Sequence, residues 1–330
     1  MNKKPKIHIL ATGGTIAGAG ETSVGAVYEP GKMNINDILK LIPAINEIAD
    51  ISGEQFINIG SQDITATLWL KLARHIRKYL ASDEVDGIVI THGTDTIEET
   101  AYFLNLIIPF SKPVVLTGSM RPTTAYSTDG PANLFNAILV ASSKNSIGKG
   151  VLVTANEKIF NAHGVSKIAT THIDAFADCS YGPVGYVNGA DVEFQRSVKK
   201  IHTVKSVFAK TLPKSLPEVV ILYSYAGINT MLFDACIKAQ VNGIVFAGTG
   251  NGNVPKPFLS KVKKAREKNI HIVRASRMLR GEVVTGELSD EKLGTIASGA
   301  LIPQKAKILL QLALTITNDL LQIREIFKYY

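Results

Sequence analysis

The sequence predicts an α/β protein: a larger N-terminal domain built on a parallel sheet, and a smaller C-terminal α/β domain. Three observations carry that prediction. Short apolar strand-like runs alternate with segments of helical period over the first 155 residues. The alternation lapses from about residue 156 to 217, and then resumes in a second, shorter series. Strand–helix alternation of this kind builds a parallel sheet covered by helices. The expected boundaries are 1–195 for the N-terminal domain, 196–217 for a linker holding Pro213 and Pro217, and 218–330 for the C-terminal domain.

In chain order, "KIHILA" (6–11) reads as a buried strand and "NINDILKLI" (34–42) as a helix stopped by Pro43. "QFINI" (55–59) is a strand ending in "GSQD". Residues 65–81 place Trp69, Leu72, Ala73, Ile76 and Leu80 on one helical face. "DGIVITHGTDT" (86–96) is a strand running into a turn, followed by a helix over 97–108, a strand over 113–118, a helix over 129–143 and a strand over 150–155. Turn residues and scattered strand-like pieces follow, as in "DCSYGPVGYVNG" (178–189). The second series has strands over 218–225, 243–248 and 270–276, and helices over 230–240, 257–269 and 303–316, the last with proline at its first position.

Composition narrows the function classes. With 45% hydrophobic and 19% charged residues, the chain reads as globular. Its longest apolar runs, such as "ILLQLALTI" (308–316), are too short to span a bilayer, which needs about 20 residues. The basic tip before the first strand enters the glycine turn at once and does not read as a signal peptide, so the expected location is cytoplasmic, or periplasmic if a leader has been removed. The net charge of +8 is spread along the chain. Its densest run, "KVKKAREK" (261–268), fits a solvated helix face, and no nucleic-acid motif accompanies it. The two cysteines, Cys179 and Cys236, have no metal-ligand spacing and read as free thiols or one bridge. No metal and no cofactor is expected.

Every conspicuous polar cluster sits just after a strand: "TGGT" (12–15), "GSQD" (60–63), "THGTDT" (91–96), "TGSMRP" (117–122) and "GTGNGN" (248–253). Open α/β sheets bind ligands at the carboxyl ends of their strands. None of these loops is a nucleotide motif, and neither HExxH nor GxSxG occurs. Their shared chemistry is hydroxyls, carboxamides and the carboxylate of Asp95, which suits a small zwitterionic ligand. A threonine hydroxyl needs a base to become a nucleophile. Asp95 beside Thr94 can orient a lysine for that task, and spacing does not single out which lysine.

"ILATGGTIAG" (9–18) and "ITHGTDTIEETAYFL" (90–104) resemble the two signature segments of the bacterial L-asparaginases, and "LIPQKAKILLQLALT" (301–315) resembles the family's C-terminal segment. The resemblance runs from about residue 6 to the C-terminus and is nearest to the type II branch. It implies hydrolysis of L-asparagine to L-aspartate and ammonia through a threonine acyl-enzyme, with minor glutaminase activity. Thr15 would be the nucleophile and Thr12 structural. Tyr28 would take or polarise the proton of the nucleophile. Thr94, Lys167 and Asp95 would form a relay serving acylation or deacylation. Ser61, Gln62 and Asp95 would hold the substrate's α-carboxylate and ammonium. Residue 119, serine here where the family has alanine, would offer its backbone carbonyl. Asn253 and Glu287, with Glu282 as the alternative, would come from a neighbouring subunit of a homotetramer made of intimate dimers.

Three rival readings share parts of this pattern. A glutaminase-asparaginase acting equally on both amides carries the same signatures. The asparaginase-like subunit of a tRNA-dependent amidotransferase has an extra domain before T-G-G-T, whereas 11 residues precede Thr12 here. A non-catalytic amino-acid-binding protein would not need the full set of Thr15, Thr94, Asp95 and Lys167.

Overall fold

The computed structural model describes residues 3–18, 34–40, 42–285 and 289–330. The chain divides into two compact units at Leu212/Pro213.

In the first unit, β1 (Lys6–Gly13) is followed by α1 (Ile35–Lys40), α2 (Ile45–Ile48), β2 (Asp50–Ile59), α3 (Ala66–Leu80), β3 (Gly87–Thr91), α4 (Ile97–Ile107), β4 (Val114–Thr117), α5 (Gly130–Ser142) and β5 (Val151–Ala155). These five strands pair in parallel in the order β5-β4-β3-β1-β2. β1 therefore has β2 on one side and β3 on the other. The chain reverses direction across the sheet at that point, which opens a crevice at the strands' carboxyl ends.

The stretch after residue 155, where helical period fades in the sequence, extends the same sheet with antiparallel strands. These are β6 (Lys158–Asn161) and then, after the small ladder of β7 (Ser166–Lys167) and β8 (Phe176–Ala177), β9 (Gly185–Asn188) and β10 (Asp191–Phe194). Among the described residues the sheet thus has eight strands and is mixed. The interval expected to be a linker from 196 is packed over much of its length. Thr203 and Phe208 are buried, and Arg77 of α3 donates to the carbonyl of Ala209 at 2.7 Å, so residues up to 212 belong with the first unit.

Burial explains the helices. α3 buries Trp69, Leu72, Ala73, Ile76 and Leu80, and its N-cap Thr65 accepts from the amide of Leu68. α4 and α5 are apolar on nearly every face because the sheet lies on one side and further chain on the other.

The second unit is a four-stranded parallel sheet of β11 (Val219–Tyr223), β12 (Gly243–Gly248), β13 (His271–Ser276) and β14 (Ile296–Ala297), in that order. Its helices are α6 (Met231–Ala239), α7 (Lys256–Glu267), α8 (Asp290–Leu293), α9 (Pro303–Ala313) and α10 (Leu320–Tyr329). Phe233, Phe246 and Phe258 pack their rings at 5.3 to 6.4 Å around its core. α10 has no counterpart in the sequence expectations, since its buried stripe is only Ile323 and Phe327; Asp319 caps it by accepting from the amide of Gln322. Both cysteines are free thiols. Among the described residues, no helix is long and apolar enough to cross a membrane.

Candidate active site

The crevice beside β1 holds a cavity of about 250 Å³, lined by Thr15, Ser61, Gln62, Thr94, Asp95 and Lys167 among others. These residues come from four separate stretches of sequence, and glycines let their backbones meet. Gly14 has φ of +79°, and a Cβ there would lie 2.5 Å from the Cα of Gly93. A Cβ on Gly93 would in turn lie 2.7 Å from the side chain of Ser61. Only glycine fits such backbone contacts.

Thr15 is buried at the start of a short 3-10 turn. Thr12, three residues earlier, donates its hydroxyl to the carbonyl of Thr91 at 2.9 Å, deep between β1 and β3. That bond ties the two strands together, and Thr12 is not among the residues that line the cavity. Ser61 fastens the next loop. Its Oγ accepts from the amide of Asp95 at 3.2 Å, and its carbonyl accepts from the hydroxyl of Thr96 at 2.8 Å.

The Lys167 ammonium donates to Thr94 Oγ1 at 2.8 Å and to Asp95 Oδ1 at 2.6 Å. The lysine side chain is 15% exposed and that of Asp95 61%, so the cation lies inside while its counter-ion faces the opening. Lys167 stands on the ladder of β7 and β8. The amide of Lys167 also donates to the buried Glu98 Oε2 at 2.6 Å. Glu98 lies in the first turn of α4, directly after the threonine–aspartate pair. In the sequence it reads as an ordinary helix-start acid; its second role appears only when β7 is folded against it.

Behind the 92–96 loop, His92 is fully buried. Its Nδ1–H donates to the carbonyl of Gly93 at 2.7 Å, and its Nε2 accepts from the hydroxyl of Thr100 at 3.0 Å, which itself accepts from Trp69 Nε1 at 2.8 Å. Burial lowers the imidazole to about 4, against the pull of its hydrogen bond to Gly93, so the ring is neutral near pH 7.

Ser119 is buried and turns its hydroxyl to the carbonyl of Arg121, while its neighbour Met120 lines the cavity. The turn is held by Asp129, which accepts from the amides of Met120 and Arg121 at 2.9 Å each. Thr170 also lines the cavity. Neither Met120 nor Thr170 stood out in the sequence; Met120 lies inside the quoted "TGSMRP" turn, but nothing local distinguishes its side chain from its neighbours. Asn253 belongs to the second unit, exposed in the turn 249–253. Tyr28 and Glu287 lie outside the described residues. No cluster of acidic, histidine or cysteine side chains suited to a metal ion occurs among the described residues.

Comparison with known proteins covers nearly the whole chain. Residues 6–200 match the family model "Asparaginase, N-terminal", and residues 218–327 match "Glutaminase/Asparaginase C-terminal domain". A probable periplasmic L-asparaginase of Haemophilus influenzae is 46% identical over 98% of this chain and 93% of its own. The glutaminase-asparaginase of Acinetobacter glutaminasificans is 43% identical over 99% of this chain and 100% of its own. A crystal structure of a probable cytoplasmic L-asparaginase from Campylobacter jejuni superposes with a TM-score of 0.95 at 44% identity, covering 99% of this chain and all of that one. Two domain models that between them span the fold, and relatives of this identity along its full length, mean that the chain belongs to the asparaginase/glutaminase family.

Proposed function

We propose that the protein hydrolyses L-asparagine to L-aspartate and ammonia through an acyl-enzyme on Thr15, with minor activity on L-glutamine. The observation that carries this reading is the Thr94–Lys167–Asp95 cluster sharing one small polar cavity with Thr15. The cavity lies below the roughly 300–1,000 Å³ of sites for drug-sized ligands and suits a single amino acid.

In the mechanism, Ser61, Gln62 and Asp95 hold the α-carboxylate and ammonium of the substrate, and the carbonyl of Ser119 receives the carboxamide. Thr15 Oγ attacks the carboxamide carbon, and its proton passes to Tyr28. The C–N bond breaks, and ammonia carries that proton away. Water then cleaves the ester, giving aspartate and free Thr15. The relay serves one of these two halves. In the resting site the Lys167 ammonium donates to both partners. As a base it first gives its proton to solvent, then takes one from the attacking nucleophile through Thr94, while Asp95 stabilises the regenerated cation. The functional unit is a homotetramer of intimate dimers, with Asn253 and Glu287 of one subunit completing a neighbour's cavity. The exposed Asn253, and the exposed Tyr223, Met231 and Leu232 of the same unit, support such a face.

Steady-state ammonia release from both amides tests the reading. One methylene usually gives about 10–200-fold discrimination, so kcat/KM for asparagine exceeds that for glutamine well beyond tenfold. Relatives named glutaminase-asparaginase at 41–43% identity favour a second reading, in which the two values are equal. Thr15→Ala abolishes turnover and keeps aspartate binding; normal turnover by that variant overturns the mechanism. Co-expressing Thr15→Ala with Glu287→Ala restores activity that neither has alone if the site is shared, and Glu282→Ala in place of Glu287→Ala tests the other glutamate.

A further inference from the structure

Within the second unit, Arg274 and Asp290 form an ion pair buried at both ends, with side chains 1% and 7% exposed. The contact is bidentate: Nε to Oδ1 at 2.7 Å and Nη2 to Oδ2 at 2.6 Å. Burial alone would raise the Asp290 carboxyl; the hydrogen bonds from Arg274 and Thr295 more than offset that and hold it below its ordinary value. The guanidinium also reaches two loops. Nη1 donates to the carbonyls of Asn251 at 3.1 Å and Gly252 at 3.4 Å, and Nη2 to the carbonyl of Val284 at 3.4 Å. The Asn251 amide group then joins the two loops directly, donating to the carbonyl of Val284 at 3.1 Å and accepting from its backbone amide at 2.9 Å. Thr285 donates to Asp290 at 3.3 Å. Residues 284–285 are thus tied to the pair.

These loops are the turn bearing Asn253 and the segment 282–285, which bears Glu282. Stability alone does not call for an arginine here, because a buried ion pair is often no more stabilising than apolar side chains of the same volume. What a hydrophobic pair lacks is spare donors. A planar guanidinium can satisfy a carboxylate with one edge and grip backbone carbonyls with the rest, which a lysine cannot.

We propose that Arg274, seated on Asp290, is a positioning residue that locks the Asn253 turn and residues 283–285 into one body, and so acts on the neighbouring subunit's site rather than on its own. This rests on the shared-site reading above. The test is complementation between differently tagged chains purified as mixed oligomers. Arg274→Lys keeps the charge but not the fork. Its homo-oligomer loses roughly 100-fold in kcat/KM for asparagine, the scale of an ångström's misplacement. Mixed with Thr15→Ala, it regains wild-type kcat/KM per intact site, because that site takes Thr15 from one chain and the Arg274-held loops from the other. A defect confined to the folding of its own chain would not be rescued.

Asn251→Ala, which unfastens the loops without stranding a charge, gives the same rescue and carries the test if Arg274→Lys does not fold. The control pair is Thr15→Ala with Asn253→Ala. If the control is rescued and neither the Arg274 nor the Asn251 pair is, the proposal is wrong while the shared site stands. If the control also fails, the shared site is wrong and the proposal falls with it. A fully active Arg274→Lys or Asn251→Ala homo-oligomer overturns it as well.

Discussion

His92 makes the first unit sensitive to acid in a way that can be isolated. The ring is fully buried, with both nitrogens engaged, and burial depresses it to about 4 from 6.5. The folded chain therefore binds this proton less readily than the unfolded chain. Stability is complete above about pH 6.5 and is lost as pH falls toward 4. One pK unit is about 1.4 kcal/mol, so the full window is worth roughly 3 kcal/mol, and the interval from pH 7 to pH 5 about 2 kcal/mol. Trp69 is the one tryptophan of the chain, and its Nε1–H donates to Thr100, the donor to His92. Its emission thus reports the unfolding of this network itself. Urea titrations followed by that emission, on wild type and His92→Gln at pH 7 and pH 5, give four stabilities. The variant is less stable at pH 7, since it cannot make both hydrogen bonds. Wild type, however, loses about 2 kcal/mol more than the variant between the two pH values, so the gap narrows. Other titrating groups cancel in the difference. Parallel losses in the two proteins would show that His92 does not stay neutral in the folded state, and the argument from its burial would be wrong.

Two further outcomes follow from the same site. Lys167→Met lowers kcat by about 10²–10⁴-fold, as expected for a positioned base, with its urea midpoint near wild type because Asp95 stays largely solvated; a loss of only about twofold would return Lys167 to an ordinary ion pair. Gly14→Ala places a methyl 2.5 Å from the backbone of Gly93 at a φ of +79°. It yields destabilised protein with kcat reduced at least as much as its stability suggests, measured by circular dichroism melts alongside turnover, and a well-folded, fully active variant would refute the close approach of the two loops.

The sequence by itself determined the order of the elements, because alternating apolar runs and helical stripes are local signals. The strands at 6–13, 87–91 and 243–248, and the buried stripe of α3, follow from side-chain pattern alone. It also marked the polar loops, since hydroxyls and glycines at a strand's end stand out against the apolar run before them. Where the pattern was weak, it failed. The sequence marks strand-like pieces around β9 without fixing their pairing, β10 is short and half exposed, and α10 has two buried side chains, so little local signal distinguished the last two from loop. Only the tertiary structure decided which loops meet. Lys167 lies 72 residues after Asp95, and nothing in either segment selects the other until β7 docks beside α4 and Glu98 takes the lysine's backbone amide. Likewise Gly14 and Gly93 read as separate turns until parallel pairing of β1 and β3 presses them together. Arg274 and Asp290 are 16 residues apart, and nothing local pairs them until β13 and α8 enclose them. The physical reason is the same in each case: propensity and periodicity act over a few residues, whereas a site is made by contacts whose partners are chosen through the packing of the whole sheet.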